Sequence, residues 1–122
     1  MGAEEPEVAY SDEHLTVTRS TEPGRAVWSF EGEISAKVPD LKELLDSLAE
    51  RIAVEPDQIL IDVGKARYVS SPFIGLLVRL VSRLADRDMI LHLRGPSARV
   101  MDLLGIVGID QSMKITGVGE AQ

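Results

Sequence analysis

The chain has 122 residues, 44% hydrophobic and 27% charged, which fits one globular domain and argues against a disordered chain. It has no cysteine, so disulfides, thiolate nucleophiles and Cys-based metal sites are excluded, and no apolar run reaches the roughly 18 residues that span a membrane. Thirteen Lys+Arg against twenty Asp+Glu give a net charge of −7, which disfavours nucleic acid as a partner.

The acidic start lacks the basic and apolar regions of a secretory signal and, with Pro6 where Ser or Thr is needed, the myristoylation pattern. A cytoplasmic location without membrane insertion is therefore expected. Residues 1–14 carry five carboxylates and no Lys or Arg, leaving thirteen against fifteen, or −2, for the remainder. Residues 1–13 are expected to be a flexible acidic tail, ahead of a domain at 14–116 and a short tail at 117–122.

From His14 the β-branched alternation Leu15-Thr16-Val17-Thr18 predicts a strand over 14–20. A Pro23-Gly24 turn and the run Ala26 to Phe30 predict its antiparallel hairpin partner. A loop at 31–34 leads to a helix over 39–53, with Leu41, Leu44, Leu45, Leu48 and Ile52 on one face. The continuous apolar run at 58–63 reads as a strand buried on both faces, followed by a loop at 64–67. A second helix is expected over 72–86, a strand over 88–93, a helix starting at 95–97 and broken by Gly105 and Gly108, and a last short strand at 113–115. This order predicts an α/β fold: a mixed four- to five-stranded sheet with parallel crossovers and helices mainly on one face.

No catalytic constellation emerges. His14 and His92 lack metal-ligand spacing and read as structural. The glycines match neither dinucleotide nor phosphate-loop spacing, no serine sits in a nucleophile elbow, and the carboxylates are scattered. No cofactor or metal is implied, and an enzyme reading has no positive support.

The segment Asp62 to Leu77 stands out: a buried strand, a short excursion, then Ser70-Ser71-Pro72 at a helix start. Ser71 reads as an N-cap with Pro72 at the first helical position. The same position, beside free N–H groups and the helix dipole, could hold a phosphate on Ser71. In the helix, Phe73, Leu76, Leu77, Leu80 and Leu84 form a core stripe, and Ile74, Val78, Val81 and Ala85 a second apolar track. That second track reads either as deeper burial or as a docking patch. Arg79, Arg83 and Arg87 align along one side, as a solvated face or a match for an acidic partner.

Here the sequence resembles the STAS domain family, typified by bacterial anti-sigma factor antagonists, over about residues 14–116. The resemblance includes the opening hairpin, Gly32-Glu33-Ile34-Ser35, the strand ending in Asp62, and Ser97 to Gly105. The family's motif places Asp-Ser-Ser/Thr-Gly-x-Gly after that strand. Ser70 falls on its aspartate, Ser71 on the serine that partner kinases phosphorylate, Pro72 on the next Ser, Phe73 on the first Gly and Gly75 on the second.

The resemblance implies a non-enzymatic regulatory module that binds an anti-sigma factor or a serine kinase of the GHKL type. Ser71, with Ser70 second, is the implied phosphorylation candidate, and Ser70, Ser71, Phe73, Ile74 and Val78 the implied partner surface. The alternative it implies is an unphosphorylated scaffold subunit, binding other STAS domains in a stressosome or sitting in a lipid-transport ATPase complex. Nucleotide binding by the same surface lacks a phosphate loop.

Overall fold

The computed structural model describes residues 6–119. The elements run β1 (Glu7–Ser11), β2 (Leu15–Glu22), β3 (Arg25–Glu33), α1 (Leu41–Ala53), β4 (Gln58–Arg67), α2 (Ser71–Ala85), β5 (Leu91–Arg94), α3 (Ala98–Val107) and β6 (Met113–Thr116), with a 3-10 turn at Asp110–Ser112. They form one six-stranded sheet in the order β1-β2-β3-β4-β5-β6. β1, β2 and β3 pair antiparallel, whereas β3, β4, β5 and β6 are mutually parallel neighbours. The strands expected at 58–63 and 88–93 are thus a parallel pair, with α2 as their crossover.

Each parallel step moves one strand in the same direction through one helix. Right-handed crossovers repeated in one direction place α1, α2 and α3 on the same face. The inward residues Trp28, Phe30, Ile59, Ile61 and Leu93 join Leu45, Ile52, Leu77, Leu80 and Leu104 of the helices in one core.

The sixth strand corrects the expectation of four or five. It also corrects the expected tail, because Glu7–Ser11 lies within 1–13 and pairs with β2; residues 1–5 and 120–122 are outside the described residues. Asp12 closes the turn by accepting the His14 and Leu15 N–H groups at 2.7 and 2.8 Å and the Tyr10 hydroxyl. Ala9 and Tyr10 pack against the core.

Other boundaries shift for local reasons. β4 runs to Arg67 rather than Val63, because it bulges where Val63 and Gly64 stand opposite Phe30 of β3, and pairing resumes at Glu31↔Lys65. Residues 88–90 complete the turn at 86–88 and its exit rather than starting β5: Asp88 adopts φ 57° and Met89 donates its N–H to Leu84 O. In α3, Ser97 Oγ caps Val100 N at 3.2 Å, and Gly108 rather than Gly105 ends the helix, at φ 81°.

Among the described residues no helix lies on the outer sheet face, yet Val27 and Leu60 on it are only 4% and 0% exposed. Side chains strapped across the sheet cover them. Arg25 binds Glu22 and donates to His92 Nδ1 at 2.9 Å, while Arg94 reaches Glu22 and Asp62, each at 3.3 Å. A guanidinium only donates, so His92 Nδ1 accepts, and neutral His92 donates from Nε2 to Thr116 Oγ1 at 3.0 Å. Burial, then the charges of Arg25, Lys114 and Arg94, push the His92 pKa down against a weaker opposing pull from Glu22.

On the helix side, Glu55 is the buried charge among the described residues. It accepts two bonds from Arg19, at 2.7 and 2.8 Å, and one from Trp28 Nε1 at 2.7 Å. The Arg19 bonds hold its pKa below the usual carboxylate range against the opposing pull of burial.

Candidate functional site

The β4–α2 connection is pinned from β3. Ile34 donates its N–H to Arg67 O at 3.2 Å, and its own carbonyl accepts the Ser70 N–H at 3.0 Å. Between them Tyr68 adopts φ 52° and stands 66% exposed. This clamp fixes where α2 begins.

The helix starts one residue earlier than its spacing suggests. Ser70, not Ser71, is the N-cap, in extended backbone with no side-chain cap bond, and Ser71 and Pro72 open the first turn. Ser70 Oγ is buried and has no hydrogen-bond partner among the described residues. Ser71 is exposed, so of the two serines only Ser71 presents its hydroxyl to solvent.

Phe73 and Ile74 are not surface residues. Phe73 is 0% exposed and meets the Phe30 ring edge-on, centroids 5.0 Å apart, and Ile74 is 7% exposed. Both belong to the core under α2, since the loop clamp turns the first helical turn inward at those positions. Val78 is 40% exposed. With Ser71, Pro72 and Gly75 it forms the outward strip of the first two turns. A cleft of about 250 Å³ between α1 and α2 flanks that strip, with Lys42, Asp46 and Arg79 on its rim. Gly75 has open space where a Cβ would stand, which leaves the strip flat.

The arginine line has an acidic partner within the same chain. Arg79 bonds Asp46 at 3.1 Å and Glu50 at 2.6 Å, Arg83 bonds Glu50 at 3.0 Å, and Arg87 donates to the carbonyls of Ala53 and Glu55. Arg83, then Arg79, lower the Glu50 pKa. These cations tie α2 to α1 and are not free to meet another molecule.

The charge available to a phosphate at this helix start is modest. Pro72 lacks an N–H, and Phe73 donates its own to Ser70 O at 3.0 Å. Among the described residues no group of three or more His, Asp or Glu side chains could hold a metal ion, and no helix is long and apolar enough to cross a membrane.

Tyr68 and the arginines beside the connection, Arg67 and Arg99, were not singled out by sequence pattern, whereas Gly75 was named only as the second glycine of the family motif and not as part of an outward strip.

The comparisons bear on the whole arrangement. The family model described as "Mlab, STAS domain" matches residues 18–117. No curated protein matches significantly. Among solved structures, the chain is similar to an anti-sigma-factor antagonist (STAS) domain protein from Planctomyces limnophilus, with TM-score 0.66 and 19% identity, covering 84% of this chain and 91% of that one. An anti-sigma factor antagonist from Mycobacterium paratuberculosis gives TM-score 0.65 and 16% identity, over 87% of this chain and 88% of that one. A chain from the complex of the diguanylate cyclase SiaD with its activator SiaC, from Pseudomonas aeruginosa, gives 0.60 and 15%, over 98% and 100%. The family match, spanning the sheet from β2 to β6 with all three helices, shows that this chain belongs to the STAS domain family.

Proposed function

We propose that this STAS domain is a non-enzymatic regulatory module. In this reading it docks an anti-sigma factor or a related serine kinase through the outward strip of α2, with Ser71 as the switchable residue. The observation that carries the proposal is that strip: Ser71, Pro72, Gly75 and Val78 are exposed on a helix start clamped by Ile34, beside an open cleft. A phosphate on Ser71 would add about −1.5 to −2 of charge at this corner and repel an acidic partner surface. The original surface of five residues contracts accordingly, since Phe73 and Ile74 support it from beneath.

One observation favours the second reading, an unphosphorylated scaffold subunit of a larger assembly. The first turn of α2 has an imino residue and an already bonded N–H where a phosphate needs donors.

A photo-crosslinking amino acid at position 75, used in the native host, separates the two. Capture of a sigma-regulating kinase, together with phosphate on Ser71 by mass spectrometry, supports the switch. Capture of a transporter ATPase subunit or another STAS protein, with Ser71 unmodified, supports the scaffold. A crosslink-free result removes the α2 strip as a docking surface.

A further inference from the structure

Almost every arginine in this chain is spoken for. Acidic side chains hold six of them, and Arg87 is held by two backbone carbonyls. Arg67 and Arg99 are the exceptions: both are exposed, and neither has an acidic partner among the described residues. They come from different elements, the end of β4 and the first turn of α3. The fold nevertheless brings them to one cavity of about 200 Å³ at the carboxyl ends of the parallel strands. Ala66, Val69 and Val100 supply apolar wall, and Tyr68 stands on its rim, 66% exposed.

We propose that this cavity receives an acidic side chain, flanked by an apolar residue, from a segment of the partner protein. Three features select that occupant. Paired cations and an exposed tyrosine match a carboxylate beside an apolar group, because guanidinium groups bind carboxylates through charge-assisted bonds and the ring offers apolar area. The volume lies below the roughly 300–1,000 Å³ typical of sites that enclose a whole small molecule, so a single side chain fits better than a cofactor. On a chain of net charge −7, an acidic segment is favoured where two unpaired arginines line one cavity. The site lies beside the β4–α2 connection, so this inference rests on the reading that the chain docks a protein partner there.

The test uses the full chain, isotope-labelled and followed by NMR. It is titrated with the blocked hexapeptide Leu-Glu-Asp-Glu-Leu-Gly, its Gln/Asn counterpart, inorganic phosphate and ATP. The acidic peptide is expected to shift Tyr68, Val69 and the Arg67 and Arg99 side-chain signals, with affinity falling as salt rises. Arg67→Gln and Arg99→Gln should each weaken it by roughly fivefold, the upper range for partly exposed ion pairs. Lys114→Gln removes a cation that lines a different cavity, with Gln58 at the start of β4, and should leave binding unchanged. Unchanged thermal melts for both Arg variants will show that folding is intact.

Equal binding of the Gln/Asn peptide, equal weakening by Lys114→Gln, or no shift at these residues would overturn the proposal. Saturable phosphate or ATP binding at the arginines without peptide binding would also overturn it, making this a small-anion site. Peptide binding here with no crosslink from position 75 would keep the cavity and remove the α2 strip; the reverse would remove the cavity alone.

Discussion

Arg19→Met is the sharpest probe of the interior. It keeps most of the apolar stem and deletes the guanidinium that makes two of the three bonds to Glu55. The carboxylate, 6% exposed, then keeps the Trp28 indole as its hydrogen-bond donor and only the charge of Arg51 beside it. Stranding one partner of a buried pair costs about 3–5 kcal/mol. Arg19 is 29% exposed, so water reaches the vacated site and the lower end, about 3 kcal/mol, is expected. Against a total of roughly 5–15 kcal/mol, that is a substantial fraction of the domain's stability.

Urea denaturation at pH 7 and at pH 3.5 measures the loss. Glu55 has a lowered folded-state pKa, so its contribution is present above the unfolded value of about 4.3 and fades as pH falls through the folded one. The deficit of Arg19→Met should therefore shrink in acid, where the variant's carboxyl is protonated. The double variant Arg19→Met/Glu55→Leu should recover most of the loss, since an apolar replacement leaves no buried charge. A deficit below about 1 kcal/mol at pH 7, or one equally large in acid, would refute this reasoning.

Leu80→Ala, like Leu77→Ala, truncates a side chain that is 0% exposed between helix and sheet and should cost about 2–5 kcal/mol by urea denaturation. Gly32→Ala should cost about 1–3 kcal/mol or more in the same assay, because Gly32 holds φ 108° and an added Cβ would collide with the His14 carbonyl. Thermal melts should show stability full above the unfolded histidine pKa of about 6.5 and declining below it, because the fold favours neutral His92 and the unfolded chain binds the extra proton. His92→Gln should flatten that slope between pH 7.5 and 5.5, and an unaltered slope would remove His92 as its source.

The central strands and helices were legible because their periodicities are strong. The run Ile59-Leu60-Ile61 has to be buried on both faces, and the leucine spacing of α1 has to face a core. β1 was hidden for two reasons. Its neighbourhood is dominated by Glu4, Glu5, Glu7, Asp12 and Glu13, and a bulge between Val8 and Tyr10 breaks the alternation that marks a strand. The end of β4, Gly64-Lys65-Ala66-Arg67, has the composition of a loop; a bulge at Val63-Gly64 resets its register against β3, a non-local partner, and keeps it paired.

The candidate site divides the same way. That a helix begins near Ser71 follows from Ser-Ser-Pro, but the one-residue shift of the cap depends on the bond from Ser70 to Ile34, far away in sequence. Spacing put Ile74 and Val78 on one track without revealing that the first is covered and the second is not. Spacing also aligned Arg79, Arg83 and Arg87 but could not show α1 waiting opposite them.

A sheet whose spatial order equals its chain order must end, at both sides, on strands near the two ends of the described chain. Among the described residues, β1 and β6 therefore each leave a row of backbone N–H and C=O groups without a neighbouring strand, some 24 Å apart at the usual strand spacing. Such rows are templates on which another chain can add a strand. Here one is broken by the Val8/Tyr10 irregularity and begins with a glutamate, while the other is only four residues long and carries Lys114. The two borders thus resist open-ended stacking by different means, interruption on one side and brevity on the other.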